Sequence, residues 1–241
     1  MMFGLSRIRE HTFVSQLLAP TSLVVDLGMN RGHFADQIQA QFGCRVVGAE
    51  PNPLLRKAIK EHPQRRTSGT AIGETAGELP LFISPDDDEA SSLITRSIEE
   101  CGSSVQVGVE TLEQFLRRHE ALQADLIKVD IEGAELPVLE QLDLLLLDGV
   151  AQLSVEFHVF LDPTIRPRIA NVISRFEAHG YQVIDFSTSY MDVLFVNSRR
   201  LKLGALVVAQ WQLRKFLYGA VRRISNLTDS SSRASFVRCE D

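Results

Sequence analysis

Short apolar, β-branched runs alternate with amphipathic stretches along most of this 241-residue chain, and polar or glycine-bearing turns separate them. Ser22–Leu27, Arg45–Glu50, Thr67–Ile72, Asp125–Asp130 and Val150–Phe157 have the length and composition of buried strands. Helical spacing marks His33–Phe42, Leu54–Glu61, Thr111–His119 and Thr164–His179, with Gly43 and Gly180 where helix stops belong. Leu5–Leu18 also reads as an amphipathic helix, with Leu5, Ile8, Val14, Leu17 and Leu18 near one face. Gly77–Ser84 and Val105–Val109 are expected as additional strands, and Pro85–Ser92 as an acidic loop.

Strands alternating with helices imply a mostly parallel sheet covered on both faces. The last two strands, Tyr181–Phe186 and Val193–Val196, are joined by Ser187–Asp192 alone. That connection is too short for a parallel crossover, so an antiparallel pair is expected. The fold class is therefore α/β, Rossmann-like. Residues 1–198 are expected to form the main domain, 199–227 a basic amphipathic helical extension and 228–241 a polar tail. In the extension, Trp211 and the apolar positions beside Arg214, Lys215, Arg222 and Arg223 suit packing on the domain, a homodimer contact or a membrane surface.

Composition narrows the setting. A formal charge of −6 argues against a nucleic-acid binder. Three scattered cysteines build neither a disulfide framework nor a zinc site, and no signal segment precedes the first strand, so a cytoplasmic location is the expectation.

The chemistry gathers at strand ends. Asp26-x-Gly28-x-Asn30-x-Gly32 is a strand, a tight turn and a helix start, and Gly28 and Gly32 let a ligand approach the main chain. Glu50 lies about twenty residues beyond the first glycine, where doubly wound sheets hold ribose hydroxyls. The third glycine of a dinucleotide fingerprint and the Lys-Ser/Thr of a P-loop are both absent. Asp130, Glu132, Glu156 and His158 follow the fourth and fifth strands. Glu156 and His158 share a face, and with Asp130 and Glu132 they could make an oxygen-rich site for a divalent metal such as Mg2+. Lys128 could instead pair with these carboxylates. His11, His62, His119 and His179 fall on or beside expected helices and read most simply as solvated.

Asp26-x-Gly28-x-Asn30-x-Gly32, Glu50-Pro51-Asn52, Ser91-Ser92, Lys128-x-Asp130-x-Glu132-Gly133-x-Glu135 and Glu156-x-His158 occur in an order that resembles the FkbM family of S-adenosylmethionine-dependent methyltransferases. The resemblance implies a seven-stranded sheet whose last strand is antiparallel. It implies O-methylation of a saccharide, glycolipid or natural-product hydroxyl. The expected cofactor site is Asp26, Gly28, Met29, Asn30, Gly32, Glu50, Asn52, Ile72 and Asp130, and the candidates to take the acceptor's proton, by their place past the fourth and fifth strands, are Asp130, Glu132, Glu156 and His158, with Glu135 as a weaker one in the first turn of a helix. Met29 stands where the family commonly has a small residue, so its side chain either crowds the cofactor or points away. A cofactor-binding scaffold without turnover and a nicotinamide-dependent reductase are the competing functions.

Overall fold

The computed structural model describes residues 4–83, 91–92, 103–187 and 189–201. Thirteen strands are described: β1 (Leu5–Ile8), β2 (His11–Val14), β3 (Leu23–Leu27), β4 (Arg45–Ala49), β5 (Arg65–Ser68), β6 (Ala71–Ile72), β7 (Gly77–Ile83), β8 (Ser91–Ser92), β9 (Ser103–Glu110), β10 (Leu126–Val129), β11 (Gln152–Val155), β12 (Tyr181–Asp185) and β13 (Val193–Asn197). The helices are α1 (His33–Phe42), α2 (Pro53–Ala58), α3 (Leu112–Arg118), α4 (Glu135–Gln141), α5 (Arg166–Ala178) and a short α6 (Ser198–Leu201).

Seven strands form the central sheet in the order β12-β13-β11-β10-β3-β4-β5. β13 runs antiparallel to both of its neighbours and the other pairs are parallel, as the short 187–192 connection requires. β3, β10 and β11 are buried at every position, the polar Asp26, Lys128, Gln152 and Ser154 included. The chain leaves β3 toward β4 and β5, then returns to place β10 on its other side. The strand order therefore reverses between β3 and β10, where open α/β sheets bind ligands at their carboxyl ends.

Local signals account for several boundaries. α1 ends at Gly43, which is left-handed (φ 66°) and donates its N–H to the Gln39 carbonyl. Thr111 closes a capping box with Gln114 at the start of α3. Asn52 caps α2 by accepting from Leu54 N. α5 begins only at Arg166, because a 3-10 turn occupies Pro163–Ile165.

Three expectations are corrected. Leu5–Leu18 is a β-hairpin followed by a 3-10 turn at Ser15–Leu17, not a helix. Arg9 turns the chain at φ 53°, and buried partners fasten the second strand from outside. Asp192 accepts from Thr12 N at 2.9 Å and from Thr12 Oγ1 at 2.7 Å. The Gln152 side chain accepts from Val14 N and donates to the Val14 carbonyl. Thr67–Ile72 is not one strand but two: β5 completes the central sheet, while β6 joins a second sheet of order β6-β9-β7-β8. Gly69 lies at the break, where a Cβ would meet the Arg56 guanidinium at 2.4 Å. Ser91 and Ser92 leave the expected acidic loop to pair with β7. Residues 84–90, like the extension and tail from 202 onward, lie outside the described residues. At the start of that extension Arg200 packs onto the domain, its guanidinium 2.7 Å from Asp125 Oδ1. No helix among the described residues is long and apolar enough to cross a membrane.

The Asp192 clamp should be measurable. Asp192 is buried and also lies 3.3 Å from Arg7 Nε. Asp192→Ala removes both acceptors from Thr12 and is expected to cost about 2–3 kcal/mol in urea unfolding. Amide exchange should speed up across residues 5–14 in particular. An unchanged urea midpoint together with unchanged hairpin protection would show that the clamp does not hold this segment.

Candidate functional site

At the carboxyl ends of β3, β4 and β10 a cleft open to solvent is lined by Gly28, Asn30, Ala49, Glu50, Pro51, Leu55, Thr70, Ala71, Ile72, Leu81, Asp130, Ile131 and Glu132. Gly28 is required by space as well as by conformation. It sits at φ 77°, and a Cβ there would come within 1.7 Å of the Asp130 carbonyl oxygen.

Glu50 reaches the cleft with both carboxylate oxygens engaged by main chain. Oε2 accepts from Asn30 N at 2.7 Å and Oε1 from Asn52 N at 2.8 Å. Each oxygen keeps a second acceptor site. Burial pushes the carboxyl up to about 7, against the pull of those two N–H donors and of Lys128.

Other expected cofactor residues serve the cleft from behind. Asp26 does not enter it: the residue is fully buried, with Oδ1 3.3 Å from Lys128 Nζ. Burial raises its carboxyl despite that neighbour. Met29 points away into the core that holds Ile8, Phe34 and Val46, where it fills the space over Gly48. Gly32 makes the left-handed entry to α1 (φ 79°) against Ile59. Asn52 is buried as the α2 cap. Gly28, Asn30, Glu50, Ile72 and Asp130 are the expected cofactor residues that face the cleft.

Beyond Asp130 the charges converge. Asp130 Oδ2 is 3.2 Å from Lys128 Nζ and 3.5 Å from His11 Nε2, and its Oδ1 is 3.7 Å from His158 Nε2. Burial opposes the Asp130 charge, but Lys128, His11 and His158 overcome it and hold the carboxyl well below its ordinary range. His158 Nε2 is also 3.4 Å from Glu132 Oε2, and Nδ1 is 3.1 Å from Glu135 Oε1. Burial disfavours the imidazolium, yet Glu135, Glu132 and Asp130 outweigh it and bring His158 up to about 9. These carboxylates favour the protonated imidazole over the neutral base. Glu132 and Glu156 are both pushed up to about 7, by burial first and by the Asp130 charge as well.

The four residues expected to hold a metal divide into two groups around Asp130. Asp130, Glu132 and His158 offer ligand atoms within 4.8 Å of one another, and Glu156 does so with Asp130 and His11. His11 is a correction to its solvated reading. It is buried on β2, edge-on to Phe34, with Nδ1 3.4 Å from Ser154 Oγ. Its signal lay in the alternation of a strand that reads equally well as a helix. Glu135 acts on the main chain. It accepts from Ile131 N and Gly133 N and so fixes the turn that carries Glu132 at φ 54°.

A cleft at the switch point of a mostly parallel sheet, with a main-chain-held acid at the end of β4, is the arrangement of a Rossmann-like fold. Residues 26–183 match the methyltransferase FkbM domain, and the chain belongs to that family. A deacetylase from Oleidesulfovibrio alaskensis, named for UDP-3-O-acyl-N-acetylglucosamine, is 30% identical over 103 residues. Those residues are 43% of this chain and 32% of the relative, so the chain spans about a third of that protein's length. Among solved structures, TrmK of M. capricolum with S-adenosyl-homocysteine is 12% identical, covering 94% of this chain and 87% of that one, with a TM-score of 0.44. A fibrillarin/Nop5p complex is 12% identical, covering 74% and 72%, with a TM-score of 0.41. Membership in the family rests on the domain match.

The state of Glu50 yields a test. A carboxyl raised from 4.5 to about 7 on folding gives stability that is full at low pH and lost as pH climbs through 7. Glu50→Gln does not titrate. Between pH 5 and pH 8 the stability of E50Q relative to wild type should rise by about 2 kcal/mol. Urea unfolding of both proteins at the two pH values checks it, and a constant difference would mean that Glu50 is not held near 7.

Proposed function

We propose that the protein transfers a methyl group from S-adenosylmethionine to a hydroxyl of a saccharide or saccharide-bearing acceptor. The observation that carries this reading is Glu50, held by two main-chain N–H groups in a cleft that also presents the apolar side chains of Leu55, Ala71, Ile72 and Leu81. Its remaining acceptor sites suit the two hydroxyls of a ribose. Ala71, Ile72, Leu81 and Leu55 provide a surface for an adenine ring. The turn Asp26-x-Gly28-x-Asn30-x-Gly32 lacks the third glycine of a dinucleotide fingerprint, which favours this ligand over a dinucleotide.

When bound, the donor supplies an activated methyl group whose transfer breaks a C–S bond and leaves S-adenosylhomocysteine. The chain's part is to align the acceptor oxygen with that bond and take its proton. Glu156 suits the proton transfer: its half-buried carboxylate has no hydrogen bond or ion pair among the described residues, and it stands in the cluster shared by Asp130 and His11. Phe160, exposed next to the His158 ring at 5.4 Å, offers a flat apolar face against which a sugar ring could lie. The carboxylates beside it are hydroxyl acceptors.

Calorimetry with S-adenosylmethionine and S-adenosylhomocysteine tests the donor. Micromolar binding is expected, with E50A weakened about 10- to 100-fold, equivalent to roughly 1.4–2.7 kcal/mol. Transfer of label from methyl-labelled donor to host glycans and glycolipids tests the acceptor, and E156Q should abolish turnover while retaining donor binding. No binding of either ligand at millimolar concentration would overturn the reading.

A further inference from the structure

His158 is buried, and its Nδ1 has no well-directed hydrogen bond among the described residues. Nδ1 faces Glu135 at 3.1 Å, and Nε2 faces Glu132 Oε2 at 3.4 Å and Asp130 Oδ1 at 3.7 Å. We infer that Nε2 of His158, Oδ1 of Asp130 and Oε2 of Glu132 are three ligands of a divalent cation, Mg2+ or Mn2+, at the acceptor side of the cleft.

The separations fit a cation better than they fit direct hydrogen bonds. Ligand atoms about 2.0–2.3 Å from one ion, at octahedral to tetrahedral angles, lie about 3–3.7 Å apart. His158 Nε2 stands at such distances from both carboxylate oxygens. Two carboxylates and an imidazole suit Mn2+ and are compatible with Mg2+, with water or acceptor oxygens completing the shell.

The surroundings orient each ligand. A metal-bound imidazole is typically held through its other nitrogen, and Glu135 faces Nδ1 here. Glu135 in turn accepts from Ile131 N and Gly133 N, which fixes the turn that presents Glu132. Asp130 is oriented by its second oxygen: Lys128 and His11 take Oδ2 and leave Oδ1 facing His158. Lys128 therefore pairs with the oxygen that the ion would not use. Charge points the same way. Asp130, Glu132, Glu135 and Glu156 gather at this end of the sheet around Lys128 and His158. A dication offsets that excess of carboxylates.

The ion would coordinate the acceptor oxygen, lower the cost of removing its proton and leave that proton to Glu156. This role rests on the proposed methyl transfer, whereas the site itself does not. Full-length protein stripped with chelator and titrated with Mn2+ alone, followed by electron paramagnetic resonance, should show one saturable site with nitrogen coupling from an imidazole. E132Q and H158Q should each weaken it tenfold or more, and H158Q should remove the nitrogen coupling. E132Q changes a partly exposed turn residue, so it remains informative if H158Q misfolds. No saturable binding up to about 10 mM Mn2+, or equal affinity in wild type and E132Q, would overturn the site. Donor binding measured calorimetrically on the same samples separates the two ideas: its persistence without Mn2+ binding removes only the cation.

Discussion

Lys128 is the point on which the site turns. It lies on β10 directly in register with Asp26 of β3, and both side chains are buried. Its ammonium sits 3.3 Å from Asp26, 3.2 Å from Asp130 and 2.6 Å from the Gly28 carbonyl oxygen to which it donates. One side chain thus ties the glycine turn after β3 to the acid after β10, two segments about a hundred residues apart in sequence. Burying three charges is costly, and it is tolerable only while each keeps its partners; removing one partner of such a group typically costs about 3–5 kcal/mol. The carboxylates hold Lys128 protonated against its burial. The turn is consequently rigid where a ligand would touch it, and the glycine at its head packs almost onto the Asp130 carbonyl.

The family match begins at Asp26, but the site does not. The β1–β2 hairpin lies wholly before the matched segment and delivers His11 to the second oxygen of Asp130. Asp192 and Gln152 fasten that hairpin to the far half of the sheet. Asp192 sits just before β13, the antiparallel strand, so the same sheet-closing element that completes the fold also positions a site histidine. A segment that looks like an N-terminal appendage is part of the electrostatics of Asp130.

The inner strands of the central sheet were legible because they are buried on both faces and their turns carry their own punctuation. Gly43 marked the end of α1 to the residue, and the shortness of 187–192 dictated the antiparallel pair. Glu50 was legible from its spacing to the first glycine. The N-terminal hairpin was not, because Leu5, Ile8 and Val14 satisfy a helical stripe as well as a strand, and the choice was made by Asp192 and Gln152 from across the sheet. The roles of Asp26, Met29 and Asn52 were similarly hidden. Each lies in the motif that marks the cleft, but burial turns the first toward Lys128, the second toward Gly48 and the third toward the start of α2. Motif spacing identifies the turn; only packing decides which of its side chains face a ligand.

Asp130 divides the labour of the cleft. On one side stand Glu50, Ile72 and the glycine turn, a mostly apolar recess with one acid. On the other stand Glu132 and Glu156, whose carboxyls burial and the Asp130 charge push up, and His158, whose imidazolium is favoured by Glu135, Glu132 and Asp130. Such displacement is a standing cost to the empty protein, because carboxylates that ionise only near pH 7 lose stability as they do so. A positive group placed beside these carboxylates would offset that cost. A fold optimised for stability alone would replace these acids with apolar residues. Their presence at one sheet end, held by Lys128 from beneath and by Glu135 from the side, makes this end of the molecule most stable when it is occupied.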